Sequence, residues 1–231
     1  MEKNALVVGS SDGIGLAIAR KLLKRDWRVI GLSRSSSKIE NSSYDHRVVE
    51  VQADEYLPIL QSVVDGLDEF DLCIYCPGIG EMLDVSDMQQ EIKVFEVNLL
   101  GMVKTVSCVI PRMVHQGKGH FIGLSSVADE MFSEEGPSYH ASKAGFSSYL
   151  ESLGLALKSS GVSITNIRFG FVDTKMAKGD AMPFMMSVDQ AAEHLLKCID
   201  RKPIRYTAPR IIIPLVMFRK WMQRLSLIRS V

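Results

Sequence analysis

The sequence predicts one α/β domain, a doubly wound parallel sheet with helices on both faces, and three observations carry that prediction. Six short β-rich apolar runs alternate with helix-length segments along 231 residues. The runs are apolar almost throughout, as in strands covered on both faces, and not alternating as in strands with one wet face. The first run ends in a glycine-rich turn that leads straight into a helical segment, and turns of that kind form at the carboxyl ends of strands in doubly wound sheets.

In chain order, Ala5–Val8 reads as the first strand and 14–25 as its helix, because apolar residues recur at helical spacing after the Gly9 to Gly15 turn. Val29 to Leu32 is the second strand, and the polar stretch SRSSSKIENSSYD from Ser33 reads as a surface loop. The β-branched run Val48 to Val51 is taken as the third strand and 56–67 as the next helix. Leu72 to Tyr75 is the fourth strand, followed by a long helical segment, 99–114, that Asn98 opens. Phe121 to Leu124 and Ser163 to Phe169 are the fifth and sixth strands, with helices at 142–158 and 191–199 after them. Right-handed crossovers place loops near Gly9, Ser33, Asp54, Cys76, Ser125 and Gly170 at one edge of the sheet, where such folds hold ligands.

With 46% hydrophobic and 23% charged residues the composition is that of a globular domain, which argues against a disordered or fibrous chain. Lys and Arg balance Asp and Glu at 27 each, which argues against general nucleic-acid affinity. Cys73, Cys76, Cys108 and Cys198 read as buried reduced thiols, and no metal-ligand set is expected. The start, MEKNALVVG, lacks the pattern of a signal peptide, and no run of 18 uninterrupted apolar residues occurs, so a cytoplasmic setting is expected.

Two motifs carry chemistry. Gly9-Ser10-Ser11-Asp12-Gly13-Ile14-Gly15 stands between a strand and a helix, where glycines let the backbone approach a pyrophosphate and the helix amides stabilise its charge. Tyr139 and Lys143, at i and i+4, share one helix face, and Ser126 precedes Tyr139 by 13 residues at the end of the fifth strand.

On GxxxGIG, Asn98, Ser126, Tyr139 and Lys143 in this order, the chain resembles the short-chain dehydrogenase/reductase family in its single-domain form, over about residues 4 to 200. The resemblance implies a Rossmann-type sheet and nicotinamide-dependent interconversion of alcohols and carbonyls. It implies Tyr139 as acid or base, Ser126 on the substrate oxygen, Lys143 on the nicotinamide ribose and Asn98 supporting a water that leads to Lys143. Gly9, Ser11, Asp12, Gly13, Ile14, Gly15, Asp54, Gly78, Val172 and Thr174 are the further cofactor contacts it implies. The chemistry suits these residue types. Negative charge builds on oxygen during hydride delivery and must be protonated, and a nearby ammonium is expected to lower a phenol's pKa from about 10. Three positions depart from the family pattern: Val8, the run Tyr75-Cys76-Pro77-Gly78, and Phe169-Gly170. Pro77 has no amide to donate.

Ser33 and Arg34 end the second strand where an acidic residue would select NAD, so NADP is expected and NAD disfavoured. Asp12 carries the opposite sign near the same place. The substrate is expected to be a hydrophobic carbonyl or alcohol, since KMAKGDAMPFMM offers Met176, Met182, Phe184, Met185 and Met186 either to a pocket or to lid packing. Asp129, Glu130, Glu134 and Glu135 read first as a solvated acidic surface run, and alternatively as a rim against anionic substrates. The alternative to an enzyme is a catalytically silent NADP-binding regulatory or scaffold protein.

Residues 201–231 read as a basic amphipathic extension of the 1–200 domain. They hold Arg201, Lys202, Arg205, Arg210, Arg219, Lys220, Arg224 and Arg229 and no acid, which leaves 19 cations against 27 anions before them. Phe218, Trp221, Met222, Leu225 and Ile228 recur at helical spacing, with Arg219, Lys220, Gln223 and Arg224 opposite. Packing on the domain or on another subunit of a homo-oligomer, peripheral contact with anionic lipid, and docking of an acidic carrier protein are the three readings.

Overall fold

The computed structural model describes residues 3–176, 182 and 184–228. Residues 177–181 and 183 of the methionine-rich segment, Arg229 of the tail and the side chain of Ile228 lie outside the described residues. Seven parallel strands form one sheet in the order β3-β2-β1-β4-β5-β6-β7. They are β1 (Lys3–Val8), β2 (Trp27–Ser33), β3 (Tyr44–Val48), β4 (Leu72–Tyr75), β5 (Gly119–Ser126), β6 (Val162–Phe169) and β7 (Arg205–Ala208). The helices are α1 (Gly13–Leu23), α2 (Tyr56–Asp65), α3 (Gln89–Phe95), α4 (Gly101–His115), α5 (Pro137–Ala156), α6 (Val188–Arg201) and α7 (Ile213–Ile228).

Successive residues of each strand serve different layers, which is why the runs look uniformly apolar. Ala5 and Val7 pack with Ile18 and Leu22 of α1 and Leu195 of α6, whereas Leu6 and Val8 pack with Leu60 of α2, Val109 of α4 and Phe146 of α5. The doubly wound architecture is therefore as expected.

Several boundaries differ from expectation for physical reasons. The third strand is Tyr44–Val48 and not 48–51, because Val49 and Val51 are buried beyond the strand's end and gave the stretch its apolar look. β3 is an edge strand of half-buried and exposed residues, so its sequence, YDHRV, reads as loop. β7 lies within the segment read as the extension and adds a seventh strand, paired with β6 from Asn166↔Arg205 to Phe169↔Ala208. α5 starts earlier than 142, with Pro137 in its first turn, where a missing amide is harmless.

Asn98 does not open a helix. It sits inside a π-helical turn, Glu96–Leu100, that joins α3 to α4, and such turns are frequent at functional sites. Tyr75 donates its hydroxyl to the Val97 carbonyl at 2.6 Å and so satisfies one acceptor of this turn. Gly101 makes room for that hydroxyl, since a Cβ there would lie 2.4 Å from it. Joined in this way, Gln89–His115 spans 27 residues and contains an 18-residue stretch of mean hydropathy 1.4, enough by length and composition to cross a bilayer. Half of that stretch is buried in the domain, with Val94, Met102 and Val109 in or beside the core under the sheet.

Candidate functional site

Strand order reverses between β1 and β4, and the loops at their carboxyl ends form a crevice. On one side is the glycine turn. Gly9 and Gly13 adopt φ of +81° and +52°, which L side chains rarely take, and a Cβ on Gly15 would lie 2.1 Å from the Gly9 carbonyl oxygen. Asp12 caps α1, its carboxylate accepting from the Gly13 amide at 2.8 Å. The first-turn amides of Ile14 and Gly15 have no intrahelical acceptor by helix geometry. Thr174 stands over this turn, its Cγ2 3.8 Å from where a Gly13 Cβ would be, and Val172 is buried and bridged to Met186.

Across the crevice, Gly78 brings three groups together. A Cβ there would lie 3.3 Å from Lys143 Nζ, 3.7 Å from Asn98 Oδ1 and 3.7 Å from Met176 Cε. Asn98 is fully buried, and its amide brackets Ile79. Oδ1 accepts from the Ile79 amide at 2.8 Å, while Nδ2 donates to the Ile79 carbonyl at 2.8 Å and to Ser142 Oγ at 3.0 Å. The π-helical turn thus ties the β4 loop to α5 one residue before Lys143.

Lys143 is 4% exposed and donates to the Leu124 carbonyl at 3.0 Å, leaving two further ammonium hydrogens near Gly78. Burial pulls its pKa down to about 8, against the pull of the Asp129 carboxylate and Cys76. Ser126 Oγ accepts from the Ala128 amide at 3.2 Å, and the Ser126 hydroxyl exerts a downward pull on the pKa of the Tyr139 phenol. The phenol's pKa is raised and not lowered as expected. Burial is the main cause and the Asp129 carboxylate adds to it, outweighing the pull of the Ser126 hydroxyl; Lys143 Nζ stands 6.0 Å from the Tyr139 ring centre.

The acidic loop is neither a solvated run nor a rim at its first two positions. Asp129 is buried against Arg168, and Glu130 is engaged by Arg168, Arg205 and Lys220. Only Glu134 and Glu135 are exposed. The four thiols are free; Cys73, Cys108 and Cys198 are buried as the sequence suggested, whereas Cys76 is only half-buried. Burial pushes Cys76 up to about 12, so it stays a thiol beside the crevice.

At the end of β2 the two expected residues separate. Ser33 is buried, its hydroxyl donating to the Ser35 carbonyl at 3.0 Å and paired with His46 Nε2 at 2.7 Å, whereas Arg34 is exposed. Asp54 is exposed in the loop before α2, and Ser11 is half-buried in the glycine turn. Two cations here were missed by sequence reasoning. Lys175 pairs with the Asp12 carboxylate, and this bond is the largest cause of that group's lowered pKa; Lys38 adds a weaker pull. Lys175 follows Thr174 directly, a signal that adjacency to a motif residue could have supplied.

The methionine segment divides. Met186 is buried in the core, while Met176, Met182 and Phe184 are about half exposed. Among the described residues no cluster of His, Cys, Asp and Glu able to hold a metal is found. A cavity of about 600 Å³ near Trp27 and His120 lies at the opposite, amino end of the strands, and its Lys118 and Arg25 are already ion-paired.

A doubly wound nucleotide-binding sheet with a Ser, Tyr and Lys at the carboxyl edge defines the class of a dinucleotide-dependent oxidoreductase. The short chain dehydrogenase family model matches residues 3–182, and the chain belongs to that family. An uncharacterized oxidoreductase of Myxococcus xanthus is 28% identical over 221 residues, 90% of this chain and 87% of its own. One from Staphylococcus aureus is 30% identical over 188 residues, 75% of this chain and 79% of its own. Among solved structures, a short-chain dehydrogenase from Streptomyces avermitilis superposes with TM-score 0.85 at 18% identity, covering 99% of this chain and 96% of its own. One from Burkholderia cenocepacia in complex with NADP gives 0.84 at 18%, covering 94% and 92%. The fold and the family are thereby shown.

Proposed function

We propose that the chain is an NADP-dependent carbonyl reductase or alcohol dehydrogenase acting on a hydrophobic small molecule. Tyr139 is the acid/base, Ser126 holds the substrate oxygen, Lys143 holds cofactor hydroxyls and Asn98 fixes the loop that faces Lys143. The observation that carries the reading is the buried Lys143 ammonium, 6.0 Å from the Tyr139 ring centre, held by the Leu124 carbonyl with hydrogens to spare. The cradle made by Gly9, Gly13, Gly15 and Gly78, each of which a side chain would fill or strain, fits a dinucleotide. A bound nicotinamide supplies or accepts the hydride.

Ser126 and Tyr139 both donate toward an oxygen on which negative charge develops, and the raised phenol pKa keeps Tyr139 protonated and suited to giving its proton in reduction. Lys143, itself buried, keeps a positive charge behind them. Arg34 and Lys38 support NADP, and Lys175 offsets the Asp12 charge that would oppose its 2′-phosphate. The Burkholderia neighbour with NADP is consistent with this choice. Gly9, Ser11, Asp12, Gly13, Ile14, Gly15, Asp54, Val172 and Thr174 complete the proposed cofactor contacts. Ser33 is retained only through its backbone.

The same proposal takes the chain through β7 as the cofactor domain, so that of 201–231 only the part after Ala208 is appended, and adds a cytoplasmic setting and self-association of the chain. The experiment is a panel of apolar ketones and aldehydes with NADPH, following loss of cofactor absorbance. Turnover of at least one carbonyl is expected. NADPH binding without turnover across the panel would replace the enzyme with a silent scaffold.

A further inference from the structure

α7 is turned the opposite way from an ordinary amphipathic helix docked on its own domain. The side facing the body carries Val216, Lys220 and Gln223. Val216 packs with Ile212 and Val127, Lys220 reaches Glu130 at 2.5 Å, and Gln223 accepts from the Phe132 amide at 3.0 Å and donates to its carbonyl at 2.7 Å. The opposite side carries Leu215, Phe218, Trp221 and Met222, exposed by 55%, 60%, 57% and 47%. By helix geometry Arg219 and Arg224 fall on its two flanks. Both are exposed, as is Arg210 just before the helix, and none of the three forms an ion pair among the described residues.

We propose that α7 seats the protein on an anionic lipid surface, with Leu215, Phe218, Trp221 and Met222 entering the headgroup boundary and Arg219 and Arg224 contacting lipid phosphates on either side. Leu215, Phe218, Trp221 and Met222 are not packed on their own domain, which leaves of the first reading of the tail only its subunit alternative for this face. Charge decides between the remaining occupants. A second copy that packed the same face of its α7 on this one would offer Arg219 and Arg224 no acid from the facing helix. An anionic surface matches every exposed charge on the helix, and an indole and a phenyl ring between cations suit the boundary between headgroups and acyl chains. An acidic carrier would satisfy the arginines and leave the aromatic face uncovered. The inference uses no residue of the redox site and stands apart from the proposed reaction.

The test is co-sedimentation of the full chain with vesicles of phosphatidylcholine, with and without phosphatidylglycerol, at low and high salt. Light scattering of lipid-free protein runs beside it. Binding is expected only with phosphatidylglycerol, and high salt should release it. The double change Arg219→Gln, Arg224→Gln should weaken it about 30-fold, roughly fivefold for each cation removed. Phe218→Ser with Trp221→Ser should abolish it at unchanged protein mass. Carbonyl reduction of a water-soluble substrate should be the same in all variants, which separates this proposal from the reaction. Protein left in the supernatant at low salt with phosphatidylglycerol would overturn the proposal. So would binding indifferent to salt and to the arginines, or a drop in oligomeric mass when Phe218 and Trp221 are replaced.

Discussion

Arg168 of β6 and Asp129 of the turn after β5 form a two-pronged ion pair, Nε to Oδ2 and a terminal nitrogen to Oδ1, both at 2.6 Å, with side chains 6% and 2% exposed. The carboxylate also accepts from Ser147 at 2.6 Å, and Ser147 is paired with Ser125 at 2.8 Å. A buried polar chain therefore runs under α5, from the pair to the strand end that holds Ser126 and Leu124. The Asp129 carboxylate adds to the burial that raises the Tyr139 pKa and opposes the burial that lowers that of Lys143.

Asp129→Ala leaves the Arg168 guanidinium buried with only Glu130 and Thr207 as partners. Breaking such a pair from one side costs about 3–5 kcal/mol. Urea unfolding of variant and parent should give a difference of that size with an unchanged slope. A loss under about 1 kcal/mol would mean that the pair is not buried in solution.

The pH profile of reduction should follow Lys143. Its pKa near 8 means that the ammonium is held below that pH and lost above it, so kcat/KM should fall on the alkaline side of about 8. Because the Asp129 carboxylate raises that value, Asp129→Asn should move the falling limb to lower pH. A limb that stays in place or moves upward would contradict the coupling.

Cofactor preference should depend on three cations. Arg34→Ala should weaken NADPH binding by roughly 10- to 100-fold and leave NADH nearly unchanged, the scale of one charge-assisted phosphate contact. Lys38→Ala should act in the same direction by less. Lys175→Ala should also weaken NADPH, because Asp12 then faces the phosphate without a counterion. Fluorescence titration with both cofactors gives the ratio, and equal losses for NADH would make Arg34 structural.

His120 makes the fold sensitive to acid. Burial, aided by the Lys202 charge, pulls its pKa from 6.5 down to about 3. Between these values the unfolded chain takes up a proton that the folded one refuses, so stability is lost as pH falls below about 6.5. His46 and His194 are shifted in the same direction. His120→Gln should flatten the decline measured by urea unfolding at pH 7 and pH 5. An equally steep decline would assign the sensitivity to other groups.

What could be read beforehand follows from how local each signal is. β1, β2 and β4 are buried on both sides and announce themselves as apolar runs. β3 and β7 lie at the two edges of the sheet, carry exposed residues, and pass for loop and tail. Tyr139, Lys143 and Ser126 were legible because their spacing is set by one strand end and one helix face. Arg168 with Asp129 and Lys175 with Asp12 join positions 39 and 163 residues apart, so only strand register and loop closure bring them together. The raised pKa of Tyr139 depends on the same tertiary burial. The π-helical turn at Asn98 leaves no periodic trace, because one extra residue per turn is invisible in a single short segment.

The most direct test of the central claim is Tyr139→Phe, assayed beside the parent for NADPH affinity and for turnover of whichever carbonyl the panel selects. The variant should bind NADPH within a few-fold of the parent and lose turnover by about 100-fold or more, since the phenol gives the proton and does not anchor the cofactor. Turnover near the parent's level would contradict the claim.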